Sequence, residues 1–266
     1  MATPPALARW RVLVTRPEAQ AGPLCEQLAA AGAEPVRFPV MQIRFLDPVQ
    51  WPAPLAHFDH ALFVSANAVA AFSAQAGERP WPEGVGTLAI GRRTAAAMAA
   101  AGIPVDLAAP PPFTSEALLA LADLQRLTDC SIVILCGCGG RELIMDTLRS
   151  RGARVETVEL YERVLPETDP TPLLRRWREE GIDAVLVTSN AILDNLRALL
   201  GERGSELLRR TPLIVPSDRI RAHAASRGCE QVRVADNATD AAMVTALTRL
   251  AADRANAHHP WDAENE

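Results

Sequence analysis

The chain has 266 residues, 48% hydrophobic and 22% charged, with a formal net charge of −5. This composition supports a sizeable core in one large or two ordinary domains and argues against global disorder. An acidic balance without a basic stripe argues against nucleic acid as a partner, and no apolar run approaches the ~18 residues of a membrane span.

The pattern along the chain is a short apolar strand, a turn of small or polar residues, then an amphipathic helix. The first strand is predicted at 11–15, leading through Arg16-Pro17 into a helix at 18–31 with a Leu24/Leu28 face and a stop at Gly32-Ala33. An extended, partly alternating stretch follows from Val36 to Ile43. Strands at 61–64 and 87–90 precede helices at 67–75 and 92–101; a short strand near 105–107 and a helix at 115–122, capped at Thr114-Ser115, complete this block. A strand at 132–135 then opens the glycine-rich stretch Gly137 to Arg141 and a helix at 141–151 with an Ile144/Leu148 face and a stop at Gly152-Ala153. A second extended stretch runs from Val155 to Val164. Strands at 184–187, 212–215 and 232–234 alternate with helices at 190–199, 218–227 and 239–252. The N-terminus lacks the charged-then-apolar order of a signal peptide, so a cytoplasmic protein is expected, with a frayed tail beyond about 252.

Three kinds of segment therefore occur in order and then recur. Leu28 and Leu148 are 120 positions apart, and so are the two Gly-Ala stops. Phe58-Asp59-His60-Ala61-Leu62-Phe63-Val64-Ser65 corresponds to Ile182-Asp183-Ala184-Val185-Leu186-Val187-Thr188-Ser189, with Asp and Ser both offset by 124. A twofold repeat of this kind predicts an α/β fold of two similar lobes, with parallel sheets flanked by helices and a cleft between them. If the two extended stretches pair as an antiparallel ribbon at about 36–43 and 155–164, residues 38–164 become an inserted lobe. The outer lobe is then residues 1–37 with 165–266, and the ribbon is a hinge.

Ligands in such sheets bind beyond the strand C-termini, where free helix N–H groups favour anions. The turns there contain Arg16, Ser65 and Asn67, Gly91 and Thr94, Gly137, Gly139 and Arg141, Thr188 and Ser189, and Ser217. Each Ser, Thr or Asn could equally be a plain helix cap. Gly137-Cys138-Gly139 begins a dinucleotide fingerprint, but Glu142 stands in place of the third glycine and no Walker Gly-Lys-Ser/Thr follows. Five cysteines without framework spacing predict reduced thiols, and the scattered histidines supply no metal set.

Several motifs together resemble the uroporphyrinogen-III synthase family. They are Val12-Leu13-Val14-Thr15-Arg16-Pro17, Phe63-Val64-Ser65-Ala66-Asn67-Ala68-Val69, Ile90-Gly91 with Thr94-Ala95, Gly139-Gly140-Arg141-Glu142-Leu143, Tyr161-Glu162-Arg163 and Val187-Thr188-Ser189. Their order and spacing match from about residue 10 to 250. The resemblance implies two α/β lobes joined by a two-stranded ribbon. It implies an enzyme that closes hydroxymethylbilane to uroporphyrinogen III, with loss of water and inversion of the last ring through a spiro intermediate, without cofactor or metal. Cys136 stands where the family commonly has Arg, which leaves that turn its backbone donors. Polyanionic hydroxymethylbilane needs local donors on an acidic protein, and Arg16, Arg141, the turn amides and the hydroxyls named above are the candidates. Tyr161, the only tyrosine, matches the family's Tyr and is the candidate proton donor for the departing hydroxyl; packing between lobes is its other reading. Expected partners are the substrate and the upstream hydroxymethylbilane-producing enzyme, with the chain a monomer. A non-catalytic two-lobed binding protein for a small polyanion is the alternative; a nucleotide-sugar transferase would need a longer chain.

Overall fold

The structure, a computed structural model, describes residues 5–77, 79–139 and 142–257. In chain order the elements are β1 (Arg11–Val14), α1 (Glu18–Ala30), β2 (Glu34–Arg37), β3 (Gln42–Phe45), β4 (His60–Phe63), α2 (Ala66–Ala76), β5 (Gly86–Ala89), α3 (Arg92–Ala100), β6 (Leu107–Ala108) and α4 (Ser115–Leu119). They continue with β7 (Ser131–Gly137), α5 (Glu142–Ser150), β8 (Arg154–Val164), α6 (Thr171–Glu179), β9 (Ala184–Leu186), α7 (Asn190–Arg210), β10 (Leu213–Val215), α8 (Asp218–Ser226), β11 (Val232–Val234) and α9 (Asp240–Ala257). Two compact units result: one runs from Ile43 to Val164, and the other takes the residues up to Gln42 together with those from Leu165 onward.

The discontinuous unit holds a sheet in the order β11-β10-β9-β1-β2. Its pairs are parallel, for example Val12 with Ala184 and Leu13 with Val36. Helices cover both faces of such a sheet, so its inner strands β9 and β10, and β1 after Arg11, are apolar and buried, while the edge strands β2 and β11 carry polar residues. Leu13, Val185 and Val215 face one side and pack with Leu173, Trp177 and Leu196 of α6 and α7. Val12, Val14, Leu186 and Ile214 face the other, against Leu24 and Leu28 of α1 and Met243 and Leu247 of α9. The continuous unit has the order β3-β8-β7-β4-β5-β6. There Leu62, Ile132, Ile134 and Cys136 pack with Leu118, Ile144 and Leu148. Phe63, Val133 and Leu135 pack on the opposite face with Val69 and Met98.

Apart from β3, each strand of one sheet has its counterpart in the other, in the same spatial order. The sequence repeat explains this, because equivalent residues make equivalent bonds. Asp59 accepts from the Ser131 N–H at 2.7 Å, and its own N–H donates to the Ser131 carbonyl at 2.9 Å. Asp183 accepts from the Arg11 N–H at 2.8 Å, and its N–H donates to the Arg11 carbonyl at 2.9 Å. Each Asp thus fastens the start of its strand to the start of the neighbouring strand. β1 joins β9 rather than β4, so the two halves of the sequence repeat do not coincide with the two units.

Four details differ from the sequence reading. The stretch at 36–43 is not one ribbon strand: Glu34–Arg37 pairs in parallel with β1, and Gln42–Phe45 lies beside β8 in the other sheet. β8 has β3 on one side and on the other also pairs in parallel with β7, from Ser131–Arg154 to Gly137–Tyr161. Both β2 and β8 complete a βαβ unit begun one helix earlier, a role their partly polar alternation conceals. Helix α6 was not expected; its Leu173 and Trp177 are one turn apart and both buried. The helix expected at 190–199 breaks at Gly201, φ 63°, and a second helical stretch that was not expected carries α7 on to Arg210.

Candidate functional site

Four turns at strand C-terminal ends share one backbone shape. Ser65 (φ −164°, ψ 159°), Gly91 (−135°, 159°), Ser189 (−159°, 163°) and Ser217 (−162°, 157°) are extended residues immediately before helices α2, α3, α7 and α8. The change from extended to helical backbone leaves the first amides of each helix without intrahelical acceptors. Ser65 accepts from the Ala68 N–H at 3.1 Å, and Ser189 accepts from the Ile192 N–H at 3.2 Å. Ser217 makes no such cap bond, and Gly91 has no side chain to make one. Thr94 is buried in the first turn of α3, while Thr188, Ser189 and Asn67 are partly exposed. The Asn190 Oδ1, next to Ser189, is buried without a hydrogen-bond partner among the described residues. This orphaned oxygen becomes visible only in three dimensions.

Arg16 behaves differently from the expectation of a free anion donor. It forms an ion pair with Asp240 at the start of α9, and its side chain is only 10% exposed. A buried guanidinium requires a paired charge, and here one from the far end of the chain supplies it. Neighbouring Thr15 donates to the Leu186 carbonyl at 2.7 Å, fastening the end of β1 to β9. Arg141 lies outside the described residues.

The glycine-rich turn is organised around Tyr161. A register shift between Cys136 and Gly137 pairs Cys136 with Glu159 but Gly137 with Tyr161, a bulge that skips Leu160. As a result Leu160 and Tyr161 both enter the same apolar cluster. The Tyr161 ring lies over Gly137 so closely that a Cβ there would sit 2.5 Å from Cζ. The Cys138 N–H donates to the Tyr161 carbonyl at 2.8 Å. Gly137 therefore makes room for a phenol ring. Gly139, at φ 76°, occupies the left-handed region with open space where a side chain would project. Tyr161 is 1% exposed, and its hydroxyl lies 3.0 Å from Ser65 Oγ and accepts from Arg163 Nη2 at 3.0 Å.

Both thiols of this turn are shifted toward the protonated form. Burial, then the charges of Glu159 and Cys138, pushes the Cys136 thiol up to about 11. Desolvation, then a hydrogen bond with Glu159, raises that of Cys138. No group of three or more His, Cys, Asp or Glu among the described residues could hold a metal. A pocket of about 510 Å³ in the continuous unit is lined by Trp51, Phe72, Trp81 and Gly102, where α2 and α3 end, and contains none of the turn residues.

The sequence matches the family described as Uroporphyrinogen-III synthase HemD over residues 23–245. It is 35% identical over 250 residues to the uroporphyrinogen-III synthase of Salmonella typhimurium, covering 89% of this chain and 99% of that one. It is 35% identical over 245 residues to that of Escherichia coli, with the same coverage of 89% and 99%. The fold matches a uroporphyrinogen-III synthetase structure from Helicobacter pylori at a TM-score of 0.64 and 12% identity, covering 91% of this chain and 99% of that one. A mutant uroporphyrinogen III synthase from Thermus thermophilus matches at a TM-score of 0.56 and 18% identity, covering 92% and 99%. With a family match across most of its length and relatives above 30% identity, the chain belongs to the uroporphyrinogen-III synthase family.

Proposed function

We propose that this member of the family closes hydroxymethylbilane to uroporphyrinogen III and holds the substrate's carboxylates mainly on backbone amides of its strand-to-helix turns. The observation that carries this reading is the repeated extended cap before α2, α3, α7 and α8. Each such turn presents N–H donors at the positive end of a helix, and a hydrogen bond to a charged group is worth ~1.5–3 kcal/mol. With Arg16 bound to Asp240, the burden of anion binding moves to these amides. In the continuous unit the candidates are Ser65, Asn67, Gly91, Thr94, Gly137, Gly139 and Arg141, with Tyr161 assisting loss of the hydroxyl. In the discontinuous unit they are Thr188, Ser189 and Ser217, together with Asn190, whose orphaned oxygen suits a pyrrole N–H. Arg16 then serves to hold α9.

Positioning supplies much of the rate in a reaction of this kind, since a flexible bilane must bring its ends together. The chain acts as a cytoplasmic monomer without a cofactor, receiving its unstable substrate from the enzyme that makes it. No helix among the described residues is long and apolar enough to cross a membrane. Incubation with enzymatically generated hydroxymethylbilane, then chromatography of the oxidised porphyrin, tests the reading. Type III isomer above the spontaneous type I background is the expected result. Type I alone from folded protein would overturn it in favour of a polyanion-binding protein.

A further inference from the structure

Tyr161 is the best-held side chain of the candidate site, yet its ring and hydroxyl are enclosed, at 1% exposure. Ser65, 3.0 Å from that hydroxyl, is partly exposed at the end of β4. Three hydrogen bonds run in series through them. Arg163 Nη2 donates to Tyr161 Oη at 3.0 Å, Tyr161 Oη meets Ser65 Oγ at 3.0 Å, and the Ala68 N–H donates to Ser65 Oγ at 3.1 Å. The middle bond alone has no direction set by its atoms, since either hydroxyl can donate.

Its neighbours set that direction. A guanidinium has donors and no acceptor, so Tyr161 Oη must accept from Arg163. The phenol proton then goes to Ser65 Oγ, whose second acceptor site already holds the Ala68 N–H. With both its lone pairs engaged, Ser65 has its own proton left to donate outward. In the reverse arrangement Ser65 would donate to Tyr161 and strand the phenol proton in the apolar cluster, at a cost of about 1–3 kcal/mol. Arg163 is held in place as well, its Cζ 5.3 Å from the centroid of the Tyr161 ring.

We propose that Arg163 is a positioning residue: by donating to Tyr161 it orients the chain so that the Ser65 hydroxyl donates to the departing hydroxyl of the substrate. This rests on the reading that substrate occupies the Ser65 turn. Tyr161 then acts through Ser65 without touching the substrate, and Gly137 and the bulge at Leu160 exist to seat its ring.

Because Tyr161 is the only tyrosine, 13C label at the tyrosine phenol carbon gives one resonance that reports its hydrogen bonding. Arg163→Met should move that resonance and lower kcat about tenfold or more, with KM changed less than about threefold. Arg163→Lys, which keeps a donor-only group, should restore most of both. Arg163→Met with Tyr161→Phe should be no slower than Tyr161→Phe alone, since both act through one chain. An unmoved resonance, an unchanged kcat, an effect on KM alone, or losses that multiply in the double variant would overturn the proposal. Ser65→Ala separates the layers. Unchanged kinetics there would remove the substrate from this turn, whereas an impaired Ser65→Ala beside a normal Arg163→Met would remove the role of Arg163 alone.

Discussion

At Gly137 a single hydrogen atom decides whether Tyr161 can sit where it does. Gly137→Ala would place a methyl group 2.5 Å from the ring, and the ring is too enclosed to swing aside. Overpacking of this sort costs about 1–3 kcal/mol, and the expected result is a lower melting temperature together with loss of turnover. Gly139→Ala has open space but a positive φ, so it should cost about 1 kcal/mol through backbone strain. Cys136 gives a pH signature. Its folded value of about 11 exceeds the ordinary 9.0, so the folded state favours the protonated thiol. That contribution is fully present below about pH 9 and is lost as pH rises through about 11. Urea denaturation between pH 8 and pH 11 should show stability falling over this window, by roughly 1–3 kcal/mol at most from this residue. Cys136→Val should flatten part of that fall. Alkylation of the native protein at pH 7 should spare Cys136, which is buried as well as protonated.

The strand-to-helix turn is the element on which the binding proposal depends, and its geometry offers a clean substitution. Ala66 and Asn190 are the first helical residues of α2 and α7, where proline's fixed φ is accommodated and no intrahelical N–H bond is lost. The residues before them, Ser65 and Ser189, are already extended, as a residue preceding proline must be. Ala66→Pro should therefore leave the melting temperature nearly unchanged while removing one amide donor. If that amide binds a substrate carboxylate, KM should rise by about tenfold or more, in line with ~1.5–3 kcal/mol for a bond to a charged group. Unchanged KM in a folded Ala66→Pro variant would count against backbone binding at this turn. Ser189→Ala should behave in the opposite way, costing about 1 kcal/mol of stability through its lost cap while keeping the turn amides.

For the molecule as a whole, the chain path makes one unit separable and the other not. Residues 43–164 are contiguous and contain two apolar clusters on the two faces of their own sheet. Expressed alone, this fragment should unfold cooperatively by circular dichroism. Residues 165–266 by themselves lack β1 and β2, and β1 lies in the sheet interior between β9 and β2. Without residues 1–42 Val185 loses Leu13 and Val36 on its face, and Leu186 and Ile214 lose Val12, Val14, Leu24 and Leu28 on theirs, so this fragment should remain unfolded until residues 1–42 are added in trans. A stable, cooperative fold from 165–266 alone would contradict this account.

What could be read from the residues in order is what depends on near neighbours. Apolar runs, helical faces such as Leu24/Leu28 and Ile144/Leu148, and the short motifs ending in Ser65 and Ser189 each arise within a few positions, and these describe both sheets closely. The Asp59 and Asp183 correspondence was visible as an offset of 124, although its meaning as two matching strand clamps required the neighbouring strands. The features that required the tertiary structure involve partners brought together across long stretches of chain. Arg16 meets Asp240, 224 positions away, an ion pair that no local pattern announces. The bulge that turns Tyr161 onto Gly137 depends on how β8 registers against β7, and alternation along one strand cannot encode a skipped residue on its partner. The direction of the Arg163, Tyr161 and Ser65 chain follows from burial and from counting donors against acceptors. Both are properties of the packed interior, where a proton without an acceptor is costly, rather than of any local pattern.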